Sequence, residues 1–583
     1  MAGRVWGSLA VTALASAAGL LVACGGSTAP TGAASTTPPA STTPTAPATP
    51  TAPTSPTPPT STGPSAADTA RFLDQATFGA TAADVSHVQA VGFSAYLAEQ
   101  VAAPVTQYTG FSYTPHTAPT TCQSHAATPT DASSLCARDE YSPFQVQRQF
   151  FTHALGDTDQ LRQRVAFALS QIFVISSDSV YEAYGMADFQ NLLLSDAFGN
   201  YRQLLEDVTL SPGMGRYLDM VDNDKSNATL GTHPNENYGR EVLQLCSIGL
   251  YQLNADGSQQ LDATGAPIPT YDQNVVIGFS AVFTGWGYPP LAGAAAAWNS
   301  TNNYDGVMVS FDAHHEPGTK LLLNGVTLPA GQTTQQDLEA ALDNIFNHQN
   351  VGPFIGKQLI QHLVTSNPSS AYVARVSAVF ANNGSGVRGD LSAVVTAILT
   401  DPEARGDTPA SDAFGHLREP ALFVSAVMRQ LGGTSDGVYL RSAASAMGEA
   451  VYSAPSVFNF YPPGYTLPGS TQLAPEFGIQ NAATALARAN FLNTVIMGTG
   501  AAADTTVTGS IGTHIDLTPF AAPASASGLI AQLNTLLMHG ALPDDAASVI
   551  TSAVDAQSTT DPLAAARTAN YLILSSAQYQ VER

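Results

Sequence analysis

The sequence predicts a mainly α-helical protein: one large multi-helical domain with a small β-hairpin-bearing insertion at about residues 254–330. Apolar residues recur at helical spacing through long stretches of residues 68–583, the signature of helices that each bury one face. Pro, Gly and Asn punctuate those stretches where helices would end. Short β-type runs such as Val307-Met-Val-Ser-Phe311 fall instead in segments rich in Gly, Asn, Asp and Pro, at Asp256–Pro269 and Trp298–Val326.

Two segments precede that domain and cannot join its core. Arg4 leads an apolar run from Val5 to Val22 that ends in Leu21-Val22-Ala23-Cys24-Gly25. Gly7, Ser8, Ser16 and Gly19 interrupt the run, which is short for a bilayer span and fits a removed secretory signal over residues 1–23. A retained membrane helix is the competing reading. The run resembles the lipobox of bacterial lipoproteins, which implies cleavage before Cys24 and lipidation of its thiol, a peripheral anchor. From Ser27 to about Ala67 only Ala, Thr, Pro, Ser and Gly occur, so residues 24–67 are expected to be a disordered tether with no core to bury. At roughly 3 Å per residue a Pro-rich tether reaches up to about 100 Å. The expected location is exported and lipid-anchored to the cell envelope, periplasmic or at the cell surface.

Composition narrows the function classes. Twenty-one basic residues stand against 45 acidic ones, which argues against a nucleic-acid partner, since such proteins carry a basic footprint. Cys122 and Cys136 lie fourteen residues apart in a loop-like stretch. A disulfide suits the exported context and would contribute roughly 3 kcal/mol by closing a short loop. Zinc held by Cys122, His125 and Cys136 is the alternative, without a visible fourth ligand. Cys246, next to Leu245 in a probable helix, reads as an inert buried thiol.

Along the domain, Leu161, Val165, Leu169 and Ile172 predict a core helix over Asp159–Val174. The same period predicts helices over Phe354–Val364, Tyr372–Phe380 and Leu391–Leu399.

The block His233-Pro-Asn-Glu-Asn-Tyr-Gly-Arg-Glu241 stands out in a chain with only 11% charged residues. With Asn235 as cap, Glu236 in the first turn and Gly249 past the end, it opens an amphipathic helix. Glu236 and Arg240 are i, i+4 neighbours, as are Asn237 and Glu241, while Tyr238, Val242, Leu245 and Cys246 face the other way. One reading is an outward polar face. A second is acid–base catalysis, in which Arg240 keeps one of Glu236 and Glu241 ionised as base and the other is protonated as acid. A third is a metal site combining His233 and Glu236 with His315 or His314; Pro234 weighs against it by pushing His233 out of helical geometry.

His315, Glu316 and Lys320 fall in Phe311-Asp-Ala-His-His-Glu-Pro-Gly-Thr-Lys320, after a strand-like run, either a functional loop or a surface turn made by Pro317-Gly318. Trp286, after Phe283-Thr284-Gly285, reads as a core aromatic ahead of a sugar platform. Gly386, Gly389 and Asp390 lack the Lys-Ser/Thr chemistry of a phosphate loop.

Many short blocks resemble one bacterial family, domain of unknown function 1800. They include Arg71–Gly79, Leu161–Val174, His233–Gly249, Phe283–Trp286, His315–Lys320, Gly352–Val364, Gly386–Leu391, Leu417-Arg-Glu-Pro420, Pro455–Phe460 and Tyr571–Arg583. The resemblance implies an exported, largely helical bacterial protein, often accompanied by a partner similar to the alkaline phosphatase and sulfatase group. Some members carry Trp-His-Asn-His-Phe where this chain has Ala168-Leu-Ser-Gln-Ile-Phe173, so a metal site on those histidines is not available here. A His-Asp pair of the family is His315-Glu316 here.

The expected site is therefore Glu236, Glu241, Arg240, His315 and Lys320, supported by His233, Asn235, Asn237 and Trp286, with no cofactor or metal specified. The expected function is acid–base chemistry, metal-assisted or not, on an extracellular or envelope polymer. The alternative is a non-catalytic scaffold that organises a phosphatase- or sulfatase-like partner.

Overall fold

Each predicted apolar period forms a helix that buries its stripe. The computed structural model describes residues 63–583 except 407, 408, 410, 412, 524 and 558–560. The signal segment, Cys24 and the tether up to residue 62 lie outside the described residues. Residues 61–583 form one compact unit, and among the described residues there are 22 α-helices and four two-stranded antiparallel sheets. None of these helices is long and apolar enough to cross a membrane.

Helix α1 (Ala66–Ala76) opens at Ser65, whose side chain accepts from the Asp68 N–H. It starts just inside the segment that composition assigns to the tether, because this cap precedes the first large apolar residues, Phe72 and Leu73. Helix α2 (Gln160–Ile172) buries Leu161, Val165, Leu169 and Ile172 as predicted. The polar block forms α3 (Asn237–Gln244). It is followed by α4 (Gln273–Val282), α5 (Thr334–Phe346), α6 (Val351–Leu363) and α7 (Pro420–Gln430). The helices expected near 372–380 and 391–399 span Ser370–Ala381 and Leu391–Thr400.

The expected insertion is instead two strand-bearing segments separated by a core helix. Residues 251–269 form a ladder of three isolated bridges, Tyr251 with Pro269, Leu253 with Gln259 and Leu261 with Pro267. After α4 come β1 (Trp286–Gly287) paired with β2 (Val309–Ser310), and β3 (Lys320–Leu321) paired with β4 (Thr327–Leu328). Helix α4 belongs to the core because Val275, Phe279 and Val282 recur on one buried face. A Cβ at Gly278 would stand 1.8 Å from the Leu321 carbonyl oxygen, so the approach of α4 to β3 admits only glycine there.

Strand β5 (His416–Leu417) pairs with β8 (Val581–Glu582), and β6 (Thr434–Ser435) with β7 (Thr513–His514). The β5–β8 pair brings residues near 580 beside the start of α7. Beneath it Asp74 ties distant elements together. Its carboxylate accepts from Arg418 Nη2 at 2.5 Å, His539 Nε2 at 2.9 Å, Gln430 Nε2 at 2.9 Å and the Ala80 N–H at 2.9 Å.

Cys122 and Cys136 form a disulfide with Cα atoms 5.0 Å apart. The zinc alternative is thereby displaced: both sulfurs are bonded to each other and His125 pairs with Asp131 at 3.3 Å.

Asp74→Asn is expected to lower stability by about 3–5 kcal/mol, the usual cost of removing one partner from a buried ionic group, measurable as a shifted urea midpoint. Burial raises the Asp74 carboxyl, but Arg418 and then His539 more than offset that and hold it at about 2 against an ordinary 3.8. The stabilisation is fully present above about pH 4 and lost as pH falls through about 2, so the acid limb of the stability profile is expected to flatten in the Asn variant.

Candidate active site

The predicted residues separate into two groups. On α3, Arg240 Nη2 donates to Glu236 at 2.7 Å, and the side-chain amide of Gln273 donates to the same carboxylate at 2.9 and 3.0 Å. Glu236 and Arg240 are each 39% exposed at the side chain, so this is a solvated surface pair worth at most about 1 kcal/mol. The helix does not open on Asn235 as expected: Glu236 stands at its N-cap without a side-chain cap hydrogen bond, Asn235 accepts from the Asn237 N–H at 2.8 Å in the turn before it, and His233 is exposed. Asn237 does not pair with Glu241; its side-chain amide donates to Asp219 at 3.1 Å. Glu241 is half-buried, raised by burial with Arg240 opposing, and one carboxyl oxygen has no hydrogen-bond partner.

His315 and Lys320 are buried in a different place, where both meet Asp337 of α5. His315 Nε2 lies 2.8 Å and Lys320 Nζ 2.6 Å from the same Asp337 oxygen. Lys320 Nζ also donates to the carbonyls of Glu316 at 2.6 Å and Gly318 at 3.0 Å, so its three donors are all used. Burial raises the Asp337 carboxyl, but His315 and Lys320 overcome that and hold it below the usual range. This cluster clamps the 315–320 loop to α5. Glu316 accepts from the Ser226 N–H and His314 stacks on Trp298 beside Asp224. Trp286 is buried in the core. Among the described residues, no hydrogen bond or ion pair joins the α3 group to the Asp337 cluster, and neither large cavity is lined by any predicted site residue.

The strongest chemistry lies elsewhere, on the floor of a cavity of about 590 Å³. Its walls come from the end of α2, the turn after α3, the 251–259 ladder, one face of α6 and the loops at 457–464 and 473–476. Gly249 shapes the turn: it is left-handed at φ 73°, and a Cβ there would meet the Phe354 ring at 2.7 Å.

Gln171, Tyr461, Asn459, Glu476 and His362 reach the cavity. Immediately behind them sits Glu419, at the start of α7. Gln171 Nε2 donates to one Glu419 oxygen at 3.0 Å and the Tyr461 hydroxyl forms a short hydrogen bond to the other. Asn459 Nδ2 donates to Gln171 Oε1 at 3.1 Å, fixing the amide's orientation. Asn459 itself is held at φ 60°, a backbone state that gathers at functional sites. Glu419 is spared the usual duty of a residue before a helix, because Glu449 accepts from the Ala421 N–H at 2.8 Å in its place.

The electrostatics follow from burial. Desolvation raises Glu419, with Tyr461, Arg164 and Gln171 opposing it, and raises Glu449 well above the carboxylate range, with Glu419 adding to the effect. Tyr461 is also raised far above normal, by burial and then by Glu419. His362 is pushed down to about 3 by burial, Arg164 and His416, which makes it a neutral imidazole. Glu476 lies 3.6 Å from His416 Nδ1 through one oxygen, and its other oxygen has no hydrogen-bond partner. A cavity floor where burial favours the protonated form of one carboxyl and sets another beside a histidine can both give and take a proton.

A metal has no comparable position. Among the described residues the one group of close metal-ligand atoms is Cys122, Cys136 and Glu140, whose sulfurs form the disulfide.

The fold and this floor define a class: a large helical protein whose cavity rests on buried, unequal carboxyl groups. The chain belongs to the family described as Protein of unknown function (DUF1800), whose profile matches residues 71–581. No curated protein and no solved structure matches it. Gln171, Gly249, Lys357 and Asn459 of the cavity, and Glu419 behind it, all fall in blocks that carried the resemblance. Glu419 could have been singled out in Leu417-Arg-Glu-Pro420, where an acid directly precedes the Pro that opens a mostly apolar helix.

Glu419→Gln is expected to keep the contacts to Gln171 and Tyr461 and to stabilise the protein at neutral pH. A carboxyl raised on folding makes stability fall as pH rises above its unfolded value near 4.5. The wild type should therefore lose thermal stability relative to the Gln variant as pH rises above about 4.5, while Glu236→Gln shifts stability by no more than about 1 kcal/mol at any pH.

Proposed function

We propose that the protein is an exported, lipid-anchored acid–base enzyme that hydrolyses an extracellular or envelope polymer in the cavity above Glu419. The single observation that carries the reading is the Glu419–Tyr461–Gln171 constellation on the cavity floor, with Glu476 beside it. The Cys122–Cys136 disulfide and the lipobox ending at Cys24 support export.

In its protonated state Glu419 donates to the Tyr461 oxygen, which turns the Tyr461 hydrogen toward the cavity. In its ionised state it accepts from Tyr461 instead. A proton can thus pass from Glu419 through Tyr461 to the leaving oxygen of a scissile bond. Glu476, with one oxygen uncommitted, takes a proton from the attacking water. The water oxygen forms the new bond as the old one breaks, and the two carboxyls exchange one proton through solvent to reset. Gln171 and Asn459 orient Glu419.

The test is turnover of purified envelope and extracellular polymers by the full chain, followed by release of new chain ends. Glu419→Gln and Tyr461→Phe are each expected to lower kcat by about 100-fold or more with binding retained. Full activity in Glu419→Gln, or no turnover of any polymer by the wild type, would sink the reading.

A further inference from the structure

Lysine is scarce in this chain. Only Lys225, Lys320 and Lys357 occur, and each has a distinct setting. Lys225 is half-buried away from the cavity and Lys320 is sealed against Asp337. Lys357, half-buried on α6, lines the cavity above Glu419 and makes no hydrogen bond or ion pair among the described residues. Burial lowers its pKa, with no neighbouring carboxylate to raise it. In a protein with a formal net charge of −24, a cation left unpaired inside a cavity is costly unless a ligand supplies the counter-charge.

A second donor points to the same need. The side-chain nitrogen of Gln358, the next residue, is buried without a hydrogen-bond partner and also lines the cavity. Phe354, Lys357, Gln358 and Gln361 lie at i, i+3, i+4 and i+7, so one face of α6 presents an aromatic ring, an ammonium and two amides together. Tyr251 and Phe458 line the same space. Aromatic faces with neutral amides suit the apolar faces and hydroxyls of a sugar ring.

We infer that the cavity binds an anionic saccharide chain, its carboxylate or sulfate received by Lys357 and Gln358. The inference rests on the cavity being the substrate site of the proposed enzyme and supplies the substrate class.

The test is calorimetric binding of length-matched uronate, sulfated and neutral oligosaccharides to the full chain, with Lys357→Gln and Lys357→Arg. The wild type is expected to bind an acidic oligomer at least about tenfold more tightly than the neutral one, as one charge-assisted contact provides. Lys357→Gln should erase that preference, and Lys357→Arg should keep most of it. Whether the uronate or the sulfated oligomer binds tighter identifies the anion. Equal binding of acidic and neutral oligomers, a preference that survives in Lys357→Gln, or no binding of any oligomer overturns the inference. Glu419→Gln separates the two ideas: it is expected to bind the acidic oligomer like the wild type without cleaving it, and cleavage at the wild-type rate would remove the acid–base reading while leaving the anion site standing.

Discussion

The rest of the structure depends on how a layer of buried charge is neutralised around the start of α7. Arg418 and Glu419 are adjacent in sequence and 1% and 3% exposed, and they face in opposite chemical directions. Arg418 donates to Asp74, which also pairs with His539, and so joins α1 to the C-terminal helices. Glu419 turns to Gln171 and Tyr461 at the cavity. Buried charges persist only where partners compensate their desolvation. The four carboxyls Glu419, Glu449, Glu476 and Glu582 are set against Arg164, Arg418, Arg488 and the raised imidazole of His416.

Compensation in that layer is uneven, and the unevenness has chemical content. Asp74 has every oxygen engaged and a depressed pKa, which is how a structural carboxylate behaves. Glu449 leaves one oxygen unpartnered and is raised well above normal. Arg164 spends one nitrogen on the His362 carbonyl at 2.6 Å and leaves two others without hydrogen bonds, so its charge is shared over several acids instead of being committed to one. Burial therefore still raises Glu419 against the opposition of Tyr461, Arg164 and Gln171.

Much of the fold was legible because helical periodicity is local. Leu161, Val165, Leu169 and Ile172 predicted their helix within two residues at each end, and the apolar residues of α6 predicted its start within three and its end within one. The range 254–330 does carry the small hairpins, and its turn-rich flanks masked the helical spacing of Val275, Phe279 and Val282 between them. The site was less legible. Density of polar residues in sequence drew attention to α3, yet Glu236 and Arg240 satisfy each other at the surface. The cavity floor gathers Gln171, Glu419, Asn459 and Glu476, which are scattered singly through apolar or turn-rich sequence. Only long-range folding brings them together. The sequence departure at Ala168–Phe173 falls at the cavity, where Gln171 and Ile172 are lining residues.

The apolar wall and the acid are one device. Leu245, Leu250, Phe354 and Val457 border the cavity that Tyr461 and Glu476 enter from below. Low polarity on that side removes water that would otherwise stabilise an ionised Glu419, which is the first cause of its raised pKa. A ligand filling the cavity would extend the same desolvation. It would hold the Glu419 proton more firmly and strengthen every remaining electrostatic contact, including that of an unpaired Lys357 with an acidic group. In the proposed reading, binding an anion in the cavity and protonating a leaving oxygen there would reinforce each other through a shared loss of solvent. The scarcity of charge in this chain, 11% of residues, leaves few competing ions to blunt either effect.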